Sequence, residues 1–446
     1  MRTKKELLLL VICIILCKIS SAQFNKDDFN FHYQTTFVPQ YNFKAKKPLS
    51  YATANTFGTT TDQATTITAT GYLGWRWGKN TGIYFNPEVA GGKGLNKALG
   101  IAGFCNGESF RVGNPEPAFY IARAYISHYF PLKKEREDLD DAQNQVKGSK
   151  PLKYIRLVAG KFSMADFFDF NSYSHDARTH FLNWALMSNG AWDYPANTRG
   201  YTIGAMIEYK NTPKNVSYRL AWSLPPNTAN GPNYDYHIKN AMCYTGEVER
   251  KFKLFKKDIT IRGLAFINRS LAGIYNESAG ILYKPGQPTG PLRKLTNDAY
   301  HIKYGYAINM EIDFNNWNGM FMRAGYNNGK TETWAFTEID ASVSLGYVAL
   351  GKKWNRKNDH CGIAILANGI SPDHRNYLKN GGYGFMLGDG NLNYAPEMIS
   401  ELYYCISLFN NQLSISPDYQ IIINPGYNKD NHGPIQVIGA RVHVEF

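Results

Sequence analysis

Between Ala299 and Phe314 apolar and polar residues alternate almost without interruption. Tyr300, Ile302, Tyr304, Tyr306, Ile308, Met310, Ile312 and Phe314 fall on one side, and His301, Lys303, Asn309, Glu311 and Asp313 fall on the other. A strand turns successive side chains to opposite faces, so this segment predicts one oily and one wet face. At sixteen residues it is far longer than an ordinary strand of about five or six. A two-faced strand of this length, with tyrosines toward its ends, is the pattern of a wall between lipid and water in a transmembrane β-barrel.

The same period-two reading predicts strands over 29–43, 66–77, 81–90, 118–130, 152–161, 201–209, 215–224, 240–253, 258–268, 299–314, 318–327, 337–350, 360–369, 396–409, 412–423 and 434–446, each bounded by Gly, Pro, Asn or Asp. Sixteen strands predict an all-β fold, a closed antiparallel barrel, with short turns such as Gly78-Lys79-Asn80 alternating with long connections at 44–65, 91–117, 162–200, 225–239, 269–298 and 370–395. The connection 131–151 departs from the rule. It belongs among the short turns yet carries a charged stretch from Lys133 to Gln145.

The N-terminus adds export. Arg2, Lys4 and Lys5 precede an apolar run from Leu7 to Leu16, and Ser20-Ser21-Ala22 supplies small residues for cleavage. Ten apolar residues are too few to cross a bilayer core that needs about 20, so residues 1–22 are expected to be a removable signal and 23–446 a single barrel domain. The mean hydropathy of −0.39 fits a soluble or barrel protein. If the chain lives in a membrane, strands must span it. The 31 tyrosines and 8 tryptophans fit aromatic belts, although a tyrosine-rich secreted sandwich shares that composition.

The formal charge of +13 falls to +10 once residues 1–22, with four basic groups and one acidic, are removed. Export makes a nucleic-acid partner unexpected. Cys105, Cys243, Cys361 and Cys405 are scattered without metal-ligand spacing, and no cofactor is expected. The sequence contains no G-x-S-x-G, H-E-x-x-H or phosphate loop, so an enzyme is not expected either.

With the apolar face toward lipid, the wet face predicts a lumen lined by Asn30, His32, Gln34, Gln40 and Asn42 and by Arg76, Arg123, Arg156, Glu208, Arg219, Glu247, Glu249, Arg262, Glu311, Arg323 and Glu401. Rings of one charge select ions of the other, whereas mixed guanidinium and carboxylate groups offer donors and acceptors to neutral polyhydroxylated solutes. The same groups could equally brace the wall by satisfying one another. The connection 162–200 is unusually aromatic for an exposed loop, which predicts that it folds into the lumen and narrows it. Asp169, Asn171, Asp176, Arg178, Trp184, Trp192, Asp193, Tyr194, Asn197 and Arg199 are its candidate solute contacts, with Trp and Tyr faces covering the apolar patches of a sugar ring.

Several ordered runs carry a resemblance: Asp169-Phe170-Asn171, His175-Asp176, Phe181 to Met187, and Gly190-Ala191-Trp192-Asp193-Tyr194-Pro195-Ala196-Asn197-Thr198-Arg199-Gly200-Tyr201. With Asp418-Tyr419-Gln420, Asn424-Pro425-Gly426-Tyr427-Asn428 and the closing Arg441 to Phe446, they resemble the OprB-type carbohydrate-selective porins. The resemblance implies a sixteen-stranded bacterial outer-membrane barrel passing mono- and small oligosaccharides through a loop-narrowed channel. The alternative is an anion-preferring or general diffusion porin. Expected partners are carbohydrate solutes, outer-membrane lipid and lipopolysaccharide, and the barrel-assembly machinery that reads a C-terminal aromatic strand, with the barrel a monomer or a homotrimer.

Overall fold

A computed structural model describes residues 28–44, 51–58, 60–109, 116–281, 299–431 and 433–446. The expected signal, residues 1–22, lies outside them, as do parts of the connections 44–65, 91–117 and 269–298.

Sixteen strands close into one antiparallel barrel. They are β1 (Phe29–Asn42), β2 (Asp62–Trp77), β3 (Thr81–Gly92), β4 (Ala118–Pro131), β7 (Lys153–Phe162), β8 (Thr202–Asn211), β9 (Val216–Ser223), β10 (Met242–Leu254), β11 (Lys257–Ser270), β12 (His301–Asn315), β13 (Asn318–Asn327), β14 (Ala341–Leu350), β15 (His360–Gly369), β16 (Glu397–Leu408), β17 (Leu413–Ile423) and β18 (Ile435–Glu445). A small hairpin, β5 (Arg136–Leu139) with β6 (Gly148–Pro151), fills the anomalous connection between β4 and β7. The ends meet where β1 pairs with β18, Thr36 opposite His443, and Tyr33 and Phe446 exchange backbone hydrogen bonds of 3.2 and 2.9 Å. Closure leaves no unpaired edge, the condition for spanning lipid with strands. Among the described residues no helix is long and apolar enough to span a membrane.

The alternation in β12 sorts as expected. Ile302, Tyr304, Tyr306 and Ile308 are exposed on the outer face, while Lys303, Asn309 and Glu311 are buried on the inner one. Aromatic residues collect toward both ends of the outer wall, Phe29, Trp75, Trp77 and Phe130 at the short-turn end and Tyr41, Phe43 and Tyr304 at the long-loop end.

One boundary differs in an informative way. The strand expected over 337–350 begins only at Ala341, because 328–340 turns inward: the Thr337 hydroxyl donates to the Gly190 carbonyl at 2.5 Å instead of pairing along the wall. That connection, expected to be about ten residues, is therefore longer and carries Trp334, Phe336 and Ile339 into the interior.

The inner face is not uniformly wet. Phe266, Phe321, Leu366 and Ile399 project inward and join one hydrophobic cluster with Phe104, Phe181, Trp184, Leu186, Trp192, Phe336 and Met386 from the loops. The barrel thus has a core inside it, built by loops folding down onto apolar stretches of the wall. All four described cysteines are free thiols.

Candidate functional site

A partly open cavity lies where the inner face of β2–β4 meets these loops. It measures about 170 Å³ and is lined by Thr68 of β2, Glu88 of β3, Arg123 of β4, residues 107–109, much of the connection between β7 and β8, Asn230, and Ala335 and Phe336. A larger hollow of about 770 Å³ opens on the outer wall among Tyr218, Gly246, Gly263, Tyr306, Tyr326 and Val343. Its rim is lipid-facing side chains, so it is no part of the lumen.

A local irregularity brings two wall residues to the side of the wall that faces the cavity. Asn86 pairs with Arg123 but Pro87 pairs with Ile121, which leaves Ala122 as one extra residue in β4. A bulge of this kind re-aims side chains, and it brings Tyr120 and Arg123, three apart, to the same side of the wall. Tyr120 then donates to Glu88, and the Arg123 fork engages Asp166 through bonds of 2.7 and 2.6 Å.

Glu88 is the hub of the polar side. It accepts from Thr70 Oγ1 at 2.6 Å and from Tyr201 OH at 3.3 Å to each carboxylate oxygen, with Arg178 Nη2 at 3.5 Å. Arg178 also donates through Nε to Glu108 at 3.0 Å and through Nη1 to Tyr72 OH at 3.3 Å. Its own turn is set by Asp176, whose carboxylate accepts the Arg178 N–H at 2.8 Å. Burial opposes the charge on Arg178, but Glu108, Tyr72 and Glu88 outweigh it and raise its pKa. Burial raises Asp176, but the Arg178 charge and backbone N–H, with His443 and His175, together outweigh it and hold the carboxyl below its usual range. Burial, reinforced by Glu88, pushes the Tyr201 phenol well up, so it stays protonated and donates. Arg199 lies over the Tyr120 ring, 4.0 Å from its centroid.

The other side is aromatic. Trp184 stacks on Phe336 with centroids 6.1 Å apart, Tyr194 lies 4.5 Å from Phe336, and each ring shows only a sliver of surface. Asn183 caps the short helix Trp184–Met187 by accepting from the Ala185 N–H at 3.0 Å, and the Trp184 indole donates to the Asn106 carbonyl at 2.8 Å. Phe336 is held by Asp193, whose carboxylate accepts the N–H groups of Trp334, Ala335 and Phe336 at 2.9, 2.8 and 3.3 Å.

Of the residues singled out in the sequence, Arg123, Arg178, Trp184, Tyr194, Asn197 and Arg199 line this cavity, and Asp176 stands directly behind it. Asn197 closes the turn that carries Arg199, accepting its N–H at 3.1 Å. The others lie elsewhere. Asp169 and Asn171 are buried against Arg323 and Asn309, and Trp192 is fully buried behind Tyr194. Glu208, Arg219 and Glu247 form an ion network on the wall, with Arg219 3.0 Å from Glu208 and 2.6 Å from Glu247. Arg156 donates to Ser127 at 2.7 Å, and Arg76 pairs with Asp28 at 2.9 Å near the short-turn end.

Glu88, Glu108, Tyr120, Tyr201 and Phe336 escaped the sequence reading. Glu88 shares an inward face with Asn86, which alternation could have shown, but Phe336 sits in the connection just before the strand expected over 337–350, where no alternation marks it.

A second pattern runs around the far wall. Glu401 accepts the N–H groups of Leu182 and Asn183 at 2.5 and 3.0 Å, and Glu397 accepts those of Ala102, Gly103 and Gly426 at 2.9, 2.8 and 3.0 Å. Glu247 accepts from Asp169 N–H and Glu311 from Ser172 N–H, both at 2.7 Å. These carboxylates grip the backbone of loops. The basic excess lies away from the cavity, in exposed lysines of the short turns: Lys214, Lys253, Lys256, Lys352, Lys353 and Lys357.

The sequence matches the family described as carbohydrate-selective porin, OprB family, over residues 54–446. No curated protein matches it by sequence. Among solved structures, Pseudomonas putida OprB at high pH is similar with a TM-score of 0.68 and 14% identity, covering 94% of each chain. The Acinetobacter baumannii channel DcaP and Salmonella typhi OmpF are similar with TM-scores of 0.50, at 10% and 9% identity, covering 94% and 95% of this chain and 97% and 99% of theirs.

Proposed function

The chain belongs to the OprB family of carbohydrate-selective porins, integral to the bacterial outer membrane, and on that premise we propose that the cavity beside β2–β4 is the selective narrowing of its sugar path. Sugars pass by diffusion, without energy input or cofactor. Hydroxyls exchange along Glu88, Arg178, Glu108 and Arg199, while ring C–H faces slide over the edges of Trp184, Tyr194 and Phe336. The loop between β7 and β8 supplies most of the narrowing.

The observation that carries this reading is charge balance. Arg123 meets Asp166, Arg178 meets Glu88 and Glu108, and Arg199 lies beside them over Tyr120, so the narrowing offers directed donors and acceptors without the single-signed field that concentrates ions. The alternative, an anion-preferring channel, draws on the net positive charge, but the exposed lysines behind that charge stand at the short-turn rim. Single-channel recording in planar bilayers, with glucose or maltodextrins and then inorganic phosphate as blockers, decides between them. Sugar block with little phosphate block is expected, and block by phosphate alone favours the alternative. The expected partners beyond the solute are outer-membrane lipid, lipopolysaccharide and the assembly machinery. Native electrophoresis of detergent extracts tests monomer against homotrimer.

A further inference from the structure

The connection between β4 and β7 is anomalous twice over. It is long on the side where turns are short, and it does not hang free. The hairpin of β5 and β6 folds back across the inner face of β1–β3. Asn30 Nδ2 donates to Asp141 Oδ1 at 2.7 Å, to the Gln145 carbonyl at 2.9 Å and to the Ala142 carbonyl at 3.1 Å. His32 Nε2 stands 3.3 Å from the second Asp141 oxygen. Val146 is buried, and Arg136 ties the hairpin base to Asn80 at 3.1 Å and to the Lys79 carbonyl at 3.0 Å.

Two glycines make the seat. A methyl group on Gly74 of β2 would press into Asn30 Oδ1 and stand 2.8 Å from Val146 Cγ2, and one on Gly148 of β6 would collide with the Arg76 guanidinium. Glycine within a strand marks close approach of another segment, here the hairpin.

Strand β2 gives the hairpin its place on the path. Its inward residues descend from Thr68 at the cavity, through Thr70 on Glu88 and Tyr72 on Arg178, to Gly74 under Val146. Gly74 lies six steps along the strand from Thr68, roughly 20 Å at about 3.3 Å each. The two ends are joined by hydrogen bonds. Gln143 Nε2 donates to Gln34 Oε1 at 3.1 Å, Gln34 Nε2 to Tyr72 OH at 2.5 Å, and Tyr72 OH accepts from Arg178.

We propose that this hairpin is a second, periplasmic selectivity segment of the channel: its tip narrows the exit, and through Gln143, Gln34 and Tyr72 it sets the position of Arg178. Gln34 and Gln143 are positioning residues, since neither lines the cavity. The proposal rests on the channel reading, but its first test uses no sugar.

Two variants open the exit. One replaces residues 133–150 by a Gly-Asn turn. The other, Gly74→Val, keeps the hairpin but removes its seat with a residue that favours strands. Single-channel conductance in potassium chloride is expected to rise about twofold or more in both. Gln34→Ala tests the relay: sugar block should weaken about tenfold at unchanged salt conductance. Gln34→Glu should restore the block, because its carboxylate accepts from both Gln143 and the Tyr72 hydroxyl. Should the shortened chain fail to give a heat-modifiable barrel, Gly74→Val carries the exit test alone. Folded variants with wild-type salt conductance would overturn the exit narrowing. Equal loss of block in Gln34→Ala and Gln34→Glu would overturn the relay. A wild-type channel that ignores sugars but widens in both exit variants would remove the sugar reading and leave the exit narrowing standing.

Discussion

The wall at β2–β4 and the wall from β10 to β17 carry the same inward carboxylates and use them differently. On the first, Glu88 is met by hydroxyls and a guanidinium, partners that can exchange a bond with a passing solute. On the second, Glu247, Glu311, Glu397 and Glu401 each accept backbone N–H groups of loops, with Arg219 and Arg262 also on Glu247 and Glu311, and those N–H partners cannot leave without unfolding the loop. The backbone contact, rather than the residue type or its burial, marks an acid as an anchor. On the proposed reading, the second wall holds the shape in which the first meets solute.

Arg323→Ala should give the largest effect if the distinction is right. Arg323 is almost fully buried and donates to Asp169 Oδ1 at 3.1 Å, to Ser174 at 2.5 Å and to the Leu186 carbonyl at 2.8 Å. Removing it strands a buried carboxylate and should cost about 3–5 kcal/mol, read as a lower midpoint of heat modifiability in detergent. Wild-type thermal stability would erase the contrast between the walls. Asp193→Asn comes next. It weakens the seat under Trp334 to Phe336 and should cost about 1–3 kcal/mol while loosening sugar block, with block titration and thermal midpoint moving together.

The pH dependence of a loop clasp sharpens the far side. Burial pushes the Asp389 carboxyl up to about 6, against the lowering effect of hydrogen bonds from Asn428 and Thr56. The folded chain therefore binds its proton more tightly than the unfolded chain does. Stability should be greatest below about pH 4 with respect to this group, decline as pH rises toward 6, and then level off, by about 2–3 kcal/mol in total. Asp389→Asn should flatten that segment of a stability-against-pH curve. On the near wall, Arg178→Ala should weaken sugar block about tenfold, or about 1.4 kcal/mol. The smallest effect belongs to Tyr194→Phe. It keeps the ring face and should change block by less than about threefold.

The wall was legible in the sequence because lipid outside and polar contacts inside impose period two over long runs, as in β12. What lies inside the wall was harder to read. The apolar inward residues Phe266 and Phe321 obey no wet-face rule, since loops rather than water cover them. Trp334 and Phe336 sit next to a strand and share its composition, so only the inward turn at Thr337 separates them from the wall. The cavity residues of the β7–β8 connection were visible through their aromatic density, which also drew attention to Trp192, a core residue by position. Tyr120 joins Arg123 on one face only through a bulge that places an extra residue in β4, and alternation cannot foresee a change of phase.

The grip on main-chain N–H groups has a consequence for how such a protein can change over generations. Every residue except proline supplies that group, so the anchors on the far wall are indifferent to which side chains the loops display. Heritable variation can rewrite the surface that meets the solute one position at a time while the scaffold beneath it is inherited intact. A channel built this way can be repurposed for a new nutrient without first being rebuilt.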